Sequence, residues 1–185
     1  MTHDHSLAPS PWIVRFAALV PMGARVLDVA AGGGRHARLF ASRGARVLAV
    51  DRDAGSLASL ADVEGVDTRV ADLEGDAWPL AGQAFDAVVV TNYLHRALLA
   101  PLRAALAPDG VLLYETFAIG NEAYGRPANP KFLLCRDELL SLAALPPALT
   151  VVAFEQGLVE GHGRPAVVQR LAAVGPDRPW PPGLG

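Results

Sequence analysis

The sequence has one cysteine, Cys135, in 185 residues, which excludes an internal disulfide and any cysteine-based metal cluster. A lone thiol suits a reducing compartment, so the expected location is the cytoplasm. No apolar run approaches the length needed to span a bilayer, and the opening MTHDHSLAPSPW lacks a basic segment followed by an apolar core. The expectation is a soluble chain without a membrane partner. An excess of positive charge is also missing: 16 Lys and Arg stand against 19 Asp and Glu, a formal net charge of -3. Such a chain has no overall attraction for phosphate backbones, and nucleic acid is not the expected partner. Charged residues are only 19% of the chain and hydrophobic residues 51%, too little charge for disorder and enough apolar material for a core. The length fits one domain.

What is present alternates. Residues 1–8 are polar and read as a flexible N-terminus. Trp12, Ile13, Phe16, Ala17 and Val20 recur at helical spacing after Pro9-Ser10-Pro11, with Pro11 suited to a first turn. Arg25–Ala30 is a short β-rich run, Gly32-Gly33-Gly34 breaks it, and His36–Arg43 has helical spacing ending at Gly44. Strands follow at Ala45–Val50, Val66–Ala71 and Phe85–Val90, with helices at Gly55–Asp62 and Arg96–Leu106. After the Pro108-Asp109-Gly110 turn, Val111–Phe117 is a strand leading into a long Gly/Pro/Asn loop, residues 118–131. Ligands in such sheets bind beyond the carboxyl ends of the strands, so this loop reads as a lid. A helix at Asp137–Ala144 precedes strands Leu149–Leu158 and Ala166–Val174. Their short Glu160–Pro165 connection requires an antiparallel pair, because a parallel crossover needs a dozen or more residues. The one domain is expected over residues 9–175, followed by a Pro/Gly-rich tail at 176–185.

The glycine turn between the first strand and its helix points backbone N–H groups at a ligand and keeps bulky side chains away. Gly32-x-Gly34-x-x-Ala37 also satisfies a loose dinucleotide fingerprint, so the glycines alone leave a nicotinamide-binding oxidoreductase open. Asp28 separates the readings. It interrupts the apolar strand RVLDVA just before the turn, where a carboxylate repels pyrophosphate and attracts the ammonium of a methionine moiety. Asp28-Val-Ala30-Ala-Gly32-Gly-Gly34 resembles the first motif of class I S-adenosylmethionine (SAM)-dependent methyltransferases, with Ala30 standing where glycine is usual.

That resemblance covers Pro9 to Val174 and implies a single Rossmann-like α/β domain. Its sheet has seven mostly parallel strands with a C-terminal antiparallel hairpin, and helices on both faces. It implies SAM as cofactor and S-adenosylhomocysteine (SAH) as product. Asp51, ending the second strand, would accept both ribose hydroxyls; Asp72 would take the adenine amino group and the Leu73 N–H would meet the ring. Ala30, Gly32, Gly34, Arg52 and Thr91 complete the expected cofactor contacts. Each acid taken alone is equally read as a cap of a helix or turn, as Asp53 is. The stretches VLDVAAGGGRHARLFASRG and FLLCRDEL look like small bacterial methyltransferases of the tellurite-resistance (TehB-like) branch, which implies a soft acceptor such as a thiol or a chalcogen oxyanion.

Methyl transfer from a sulfonium mainly requires that the nucleophile be held in line, so candidate acceptor contacts sit at strand ends and in the lid. Arg35, His36, Thr91, Asn92, Tyr93, His95, Glu115, Tyr124 and Arg126 qualify. His95 is a base or cation candidate near neutral pH, or else a helix-start histidine bonded to backbone. Arg35, His36 and Arg126 together would form a cationic vestibule, Arg35 being alternatively a solvated residue. Glu115 near the end of its strand needs a partner or solvent, which favours a site role. His95, Arg126, Glu115 and Arg35 are therefore the catalytic candidates. Cys135 follows three apolar residues and reads as a packing residue. His3 and His5 read as solvated, and no metal is expected. Trp78 and Pro79 either cover the adenine edge or pack the loop. Three competing functions stay open: an RNA or protein methyltransferase on the same fold, opposed by the acidic balance and by Tyr93-Leu94 after Asn92; the oxidoreductase; and a SAM-binding module without catalysis.

Overall fold

The computed structural model describes residues 8–75, 78–160 and 164–183. Its seven strands are β1 (Arg25–Val29), β2 (Arg46–Asp51), β3 (Val66–Val70), β4 (Phe85–Thr91), β5 (Leu106–Phe117), β6 (Thr150–Val159) and β7 (Ala166–Val174). Helices are α1 (Pro11–Phe16), α2 (Arg35–Ser42), α3 (Ala54–Ala58), α4 (Leu99–Ala104) and α5 (Glu138–Ala143). The strands form one sheet in the order β3-β2-β1-β4-β5-β7-β6. The first five are parallel, and β7 lies antiparallel to both β5 and β6. This is the expected fold class.

Two apolar layers sandwich the sheet. One gathers Leu98 and Leu102 around α4 and Leu139 and Leu142 of α5 against Leu27, Val88, Val90 and Tyr114. The other packs Trp12, Ile13 and Phe16 of α1, Ala37 and Phe40 of α2 and Leu57 of α3 against Val26, Ala49, Val89 and Leu113. The central strands are therefore apolar on both faces, as buried parallel strands are. At the edge, β3 carries Val70 at 58% exposure.

Local chemistry fixes the element starts. Ser10 caps α1 by accepting the Trp12 N–H, with Pro11 at the first helical position. Asp53 caps α3 through the Gly55 N–H. Two helices differ from expectation. The stretch expected over Gly55–Asp62 is helical only at Ala54–Ala58, because Leu60 and Val63 close successive turns instead of continuing the ladder. The stretch expected over Arg96–Leu106 starts as a 3-10 turn at Arg96–Leu98 and ends at Ala104, where Leu106 already joins β5.

The loop over 118–131 contains one single 3-10 turn, Asn121–Ala123, and runs into a second, Pro130–Phe132, at its end. Buried Asn121 pins it: its side chain donates to the Pro127 carbonyl at 2.9 Å and accepts the Val167 N–H at 3.1 Å. The segment beginning at Pro176 was expected as an extended tail, yet its start is tied back, since Asp177 N–H donates to Pro108 O and the Arg178 guanidinium to Leu19 O. The middle of the Glu160–Pro165 turn, residues 161–163, lies outside the described residues. Among the described residues no helix is long and apolar enough to cross a membrane.

Candidate active site

In the order β3-β2-β1-β4-β5, successive chain segments leave β1 in one direction and β4 in the other, so the crevice between these two strands is the topological switch point where ligands bind. Val29 pairs with Val90 across it, which sets Ala30 beside Thr91 at its mouth. Ala30, Gly32 and Gly34 all have positive φ, at 53°, 53° and 72°. For Ala30 this left-handed conformation is strained. Cβ atoms added to Gly32 or Gly33 would meet nothing within 4 Å, whereas one on Gly34 would run into the buried Leu60 side chain. Gly34 is glycine for packing; Gly32 and Gly33 leave space open above the turn.

The acids at the strand ends hold this loop. Asp51 accepts the Gly32 N–H at 2.8 Å on one oxygen and the Asp53 N–H at 2.9 Å on the other. Asp72 accepts the Glu74 N–H at 2.9 Å. Both face a cavity of about 190 Å³ lined by Ala30, Asp51, Arg52, Asp72, Leu73 and Tyr93, together with Ala71 and Glu74. Asp28, expected to attract the ammonium of a methionine moiety, lies beneath the turn rather than in the cavity lining. It is 1% exposed and accepts the Ala37 N–H at 2.9 Å, so it anchors the start of α2 under the loop. Burial pushes its carboxyl up to about 7, against the Ala37 N–H and Arg35, which favour the anion.

A second cavity, about 220 Å³, opens at the ends of β4 and β5. Asn92, Tyr93, Leu94, Thr116, Phe117, Pro127 and Phe132 line it with Glu74, so Glu74 and Tyr93 belong to both cavities. Asn92 adopts φ 54°, which an asparagine tolerates, and its N–H donates to Glu115 O. Burial, followed by the carboxylates of Glu74 and Asp72, raises the Tyr93 hydroxyl pKa and keeps it protonated.

The four expected catalytic residues do not line this cavity. His95 is half-buried and starts the 3-10 turn through its carbonyl, which accepts the Leu98 N–H. Arg126 is exposed in the loop, and Arg35 reaches the Ala8 carbonyl at 3.5 Å. Glu115 has partners: it accepts the Ser10 hydroxyl at 2.6 Å and pairs with Arg170 at 3.5 Å. The cationic vestibule fails at His36, which is 2% exposed and whose pKa is lowered to about 3 by burial and then by Arg35. It is a neutral ring, accepting the Ser10 N–H at Nε2. Cys135 is exposed, contrary to the packing expectation, because Leu133 and Leu134 take the inward positions. Trp78 packs against the apolar layer beside α4 and α5. His3 and His5 lie outside the described residues, and among the described residues no three His, Cys, Asp or Glu side chains gather as a metal site.

Sequence reasoning missed the aromatic character of the second cavity. Its signal was Phe117 ending β5 and Phe132 inside a loop rich in polar residues.

The glycine turn, the strand-end acids and the adjoining cavity sit on a fold shared with SAM-dependent methyltransferases. The residues fit such a cofactor: the open space above Gly32 and Gly33 would take the amino-acid portion, and Asp51, Asp72 and Leu73 line the cavity that would take the adenosine. Residues 26–110 match the family described as methyltransferase domain. Over 122 residues the chain is 36% identical to the ubiquinone biosynthesis O-methyltransferase of Xanthomonas axonopodis pv. citri (strain 306), covering 60% of this chain and 51% of that protein. The chain thus spans about half the length of that curated relative. Among solved structures it superposes on TehB from Haemophilus influenzae with a TM-score of 0.72 at 18% identity, over 88% of this chain and 61% of that one, a likeness of fold. It also superposes on the Burkholderia thailandensis 1,6-didemethyltoxoflavin-N1-methyltransferase, whose structure holds 1,6-didemethyltoxoflavin and SAH. The TM-score there is 0.65 at 25% identity, over 94% of this chain and 80% of that one.

Proposed function

We propose that this chain transfers the methyl group of SAM to a small acceptor with a flat aromatic body. The observation that carries this reading is the second cavity, lined by Tyr93, Phe117, Pro127 and Phe132 and joined to the cofactor cavity through Tyr93 and Glu74. Rings of this kind stack on a planar acceptor and exclude water. The names of two similar proteins, a ubiquinone biosynthesis O-methyltransferase and a methyltransferase with bound 1,6-didemethyltoxoflavin, lend support. The small volume favours a small molecule over RNA or protein.

The cofactor supplies a methyl on a positive sulfur, which leaves as neutral SAH. The chain's residues then have two tasks. Phe117 and Phe132 hold the acceptor in line, and Glu74, the carboxylate shared by both cavities, takes the proton from a hydroxyl or ring N–H. Asp51, Asp72 and Leu73 hold the adenosine. His95, Arg126, Glu115 and Arg35, which line neither cavity, take no direct part in the transfer. The acting unit is residues 9–175, working in the cytoplasm with no nucleic-acid partner.

The test incubates the protein with SAM and a panel of catechols, hydroxyquinones, aromatic thiols, selenite and tellurite, with SAH formation read by mass spectrometry. Turnover of ring-bearing acceptors is expected, reduced about tenfold or more in Glu74→Gln. Turnover confined to tellurite, selenite or small thiols would replace this reading with the soft acceptor implied by the TehB-like resemblance.

A further inference from the structure

Ser10, ahead of α1, makes three bonds, one to its own helix and two to remote residues. Its side-chain oxygen accepts the Trp12 N–H at 3.1 Å, its hydroxyl donates to Glu115 on β5 at 2.6 Å, and its backbone N–H donates to His36 Nε2 at 3.1 Å. The last bond determines the proton on the ring. A neutral imidazole whose Nε2 accepts must carry its hydrogen on Nδ1. His36 Nδ1 lies 3.2 Å from Thr91 Oγ1, so the ring donates and the threonine oxygen accepts. The hydroxyl hydrogen of Thr91 is left without an acceptor in the described residues.

Thr91 ends β4 beside Ala30, at the switch-point crevice, and is half-buried there. The glycine turn next to Ala30 leaves open space at Gly32 and Gly33, and His36 is the second residue of the helix that follows this turn.

We infer that Thr91 is a hydrogen-bond donor to the amino-acid carboxylate of the methyl donor, and that His36, locked by Ser10, is the positioning residue that turns the threonine hydroxyl toward it. The inference rests on the SAM reading of the cleft but not on any acceptor. Without His36 the hydroxyl is free to rotate; with it, the oxygen is already engaged as an acceptor and the hydrogen has one useful direction. Ser10 thereby couples the seating of α1 to the grip on the cofactor.

Calorimetry with two probes tests this on the full chain. SAH carries the amino-acid end, and 5′-methylthioadenosine lacks it. Thr91→Val should weaken SAH about tenfold while leaving 5′-methylthioadenosine unchanged, and Thr91→Ser should restore SAH. His36→Phe should mimic Thr91→Val, and His36→Gln, whose amide can both accept from Ser10 and donate to Thr91, should recover most of the loss. Ring ¹⁵N shifts of His36 in the wild type should report an Nδ1-protonated, Nε2-accepting ring. Equal weakening of both probes would make Thr91 merely structural and overturn the assignment, as would unchanged SAH binding or an Nε2-protonated ring. If the wild type bound neither probe, the failure would lie with the cofactor reading instead.

Discussion

The carboxyl edge of the sheet has two halves built on different terms. On the nucleotide side, after β1, β2 and β3, each acid binds backbone close to it in the chain: Asp72 reaches two residues, Asp51 two and nineteen, Asp28 nine. On the other side, after β4 and β5, the partners are remote: Ser10 and Glu115 are 105 residues apart, His36 and Thr91 55, and Asn121 and Val167 46. The first half is a set of turns that fold locally. The second exists only once α1, the loop over 118–131 and β7 have been assembled around the sheet, so its chemistry belongs to the tertiary structure.

The largest effect should come from Gly34→Val, which forces a branched side chain into buried Leu60 at a backbone with φ 72°. Overpacking and left-handed strain together predict a loss of about 3 kcal/mol, read as a fall in denaturation midpoint. Equal stability would show that the glycine turn is not held by packing. Next, Asp51→Ala should weaken SAH by about 2 kcal/mol while sparing any acceptor affinity, and Phe132→Ala should do the reverse. If either variant changed both affinities alike, the division between the halves would be wrong.

The third prediction concerns pH. The His36 pKa is lowered from 6.5 to about 3 on folding, so the unfolded chain binds the extra proton and His36 costs stability as pH falls from about 6.5 toward 3. The Asp28 pKa is raised from 3.8 to about 7, so the folded chain binds the extra proton and stability is lost as pH rises from about 4 through 7. Across pH 4 to 6.5 the two slopes oppose and nearly cancel. His36→Gln should unmask the Asp28 slope, up to about 1.4 kcal/mol per pH unit, in denaturant titrations at pH 4.5, 5.5 and 6.5. Parallel curves for variant and wild type would refute the assignment of a buried neutral ring. The smallest effect is expected from Ala30→Gly, where relief of positive φ slightly exceeds the added chain entropy, a gain of about 0.5 kcal/mol.

The sequence carried the strand alternation and the glycine turn because both are written in local spacing. The positions of Asp51 and Asp72 at successive strand ends, beside one cavity, were legible for the same reason. The sequence overread His36 as a cation beside Arg35 and Arg126, since nothing near His36 in the chain announces that Ser10 and Thr91 will enclose it. Cys135 was misplaced because an apolar run of three says nothing about where the chain turns outward.

Tyr93 and Glu74 form a single partition between two rooms. On the proposed reading, any change to that partition is felt by donor and acceptor together, so variation there is constrained from both directions. Phe117, Pro127 and Phe132 stand on the far wall and touch only one room. New acceptor preferences can therefore arise by remodelling the loop side while the hold on adenosine is left intact.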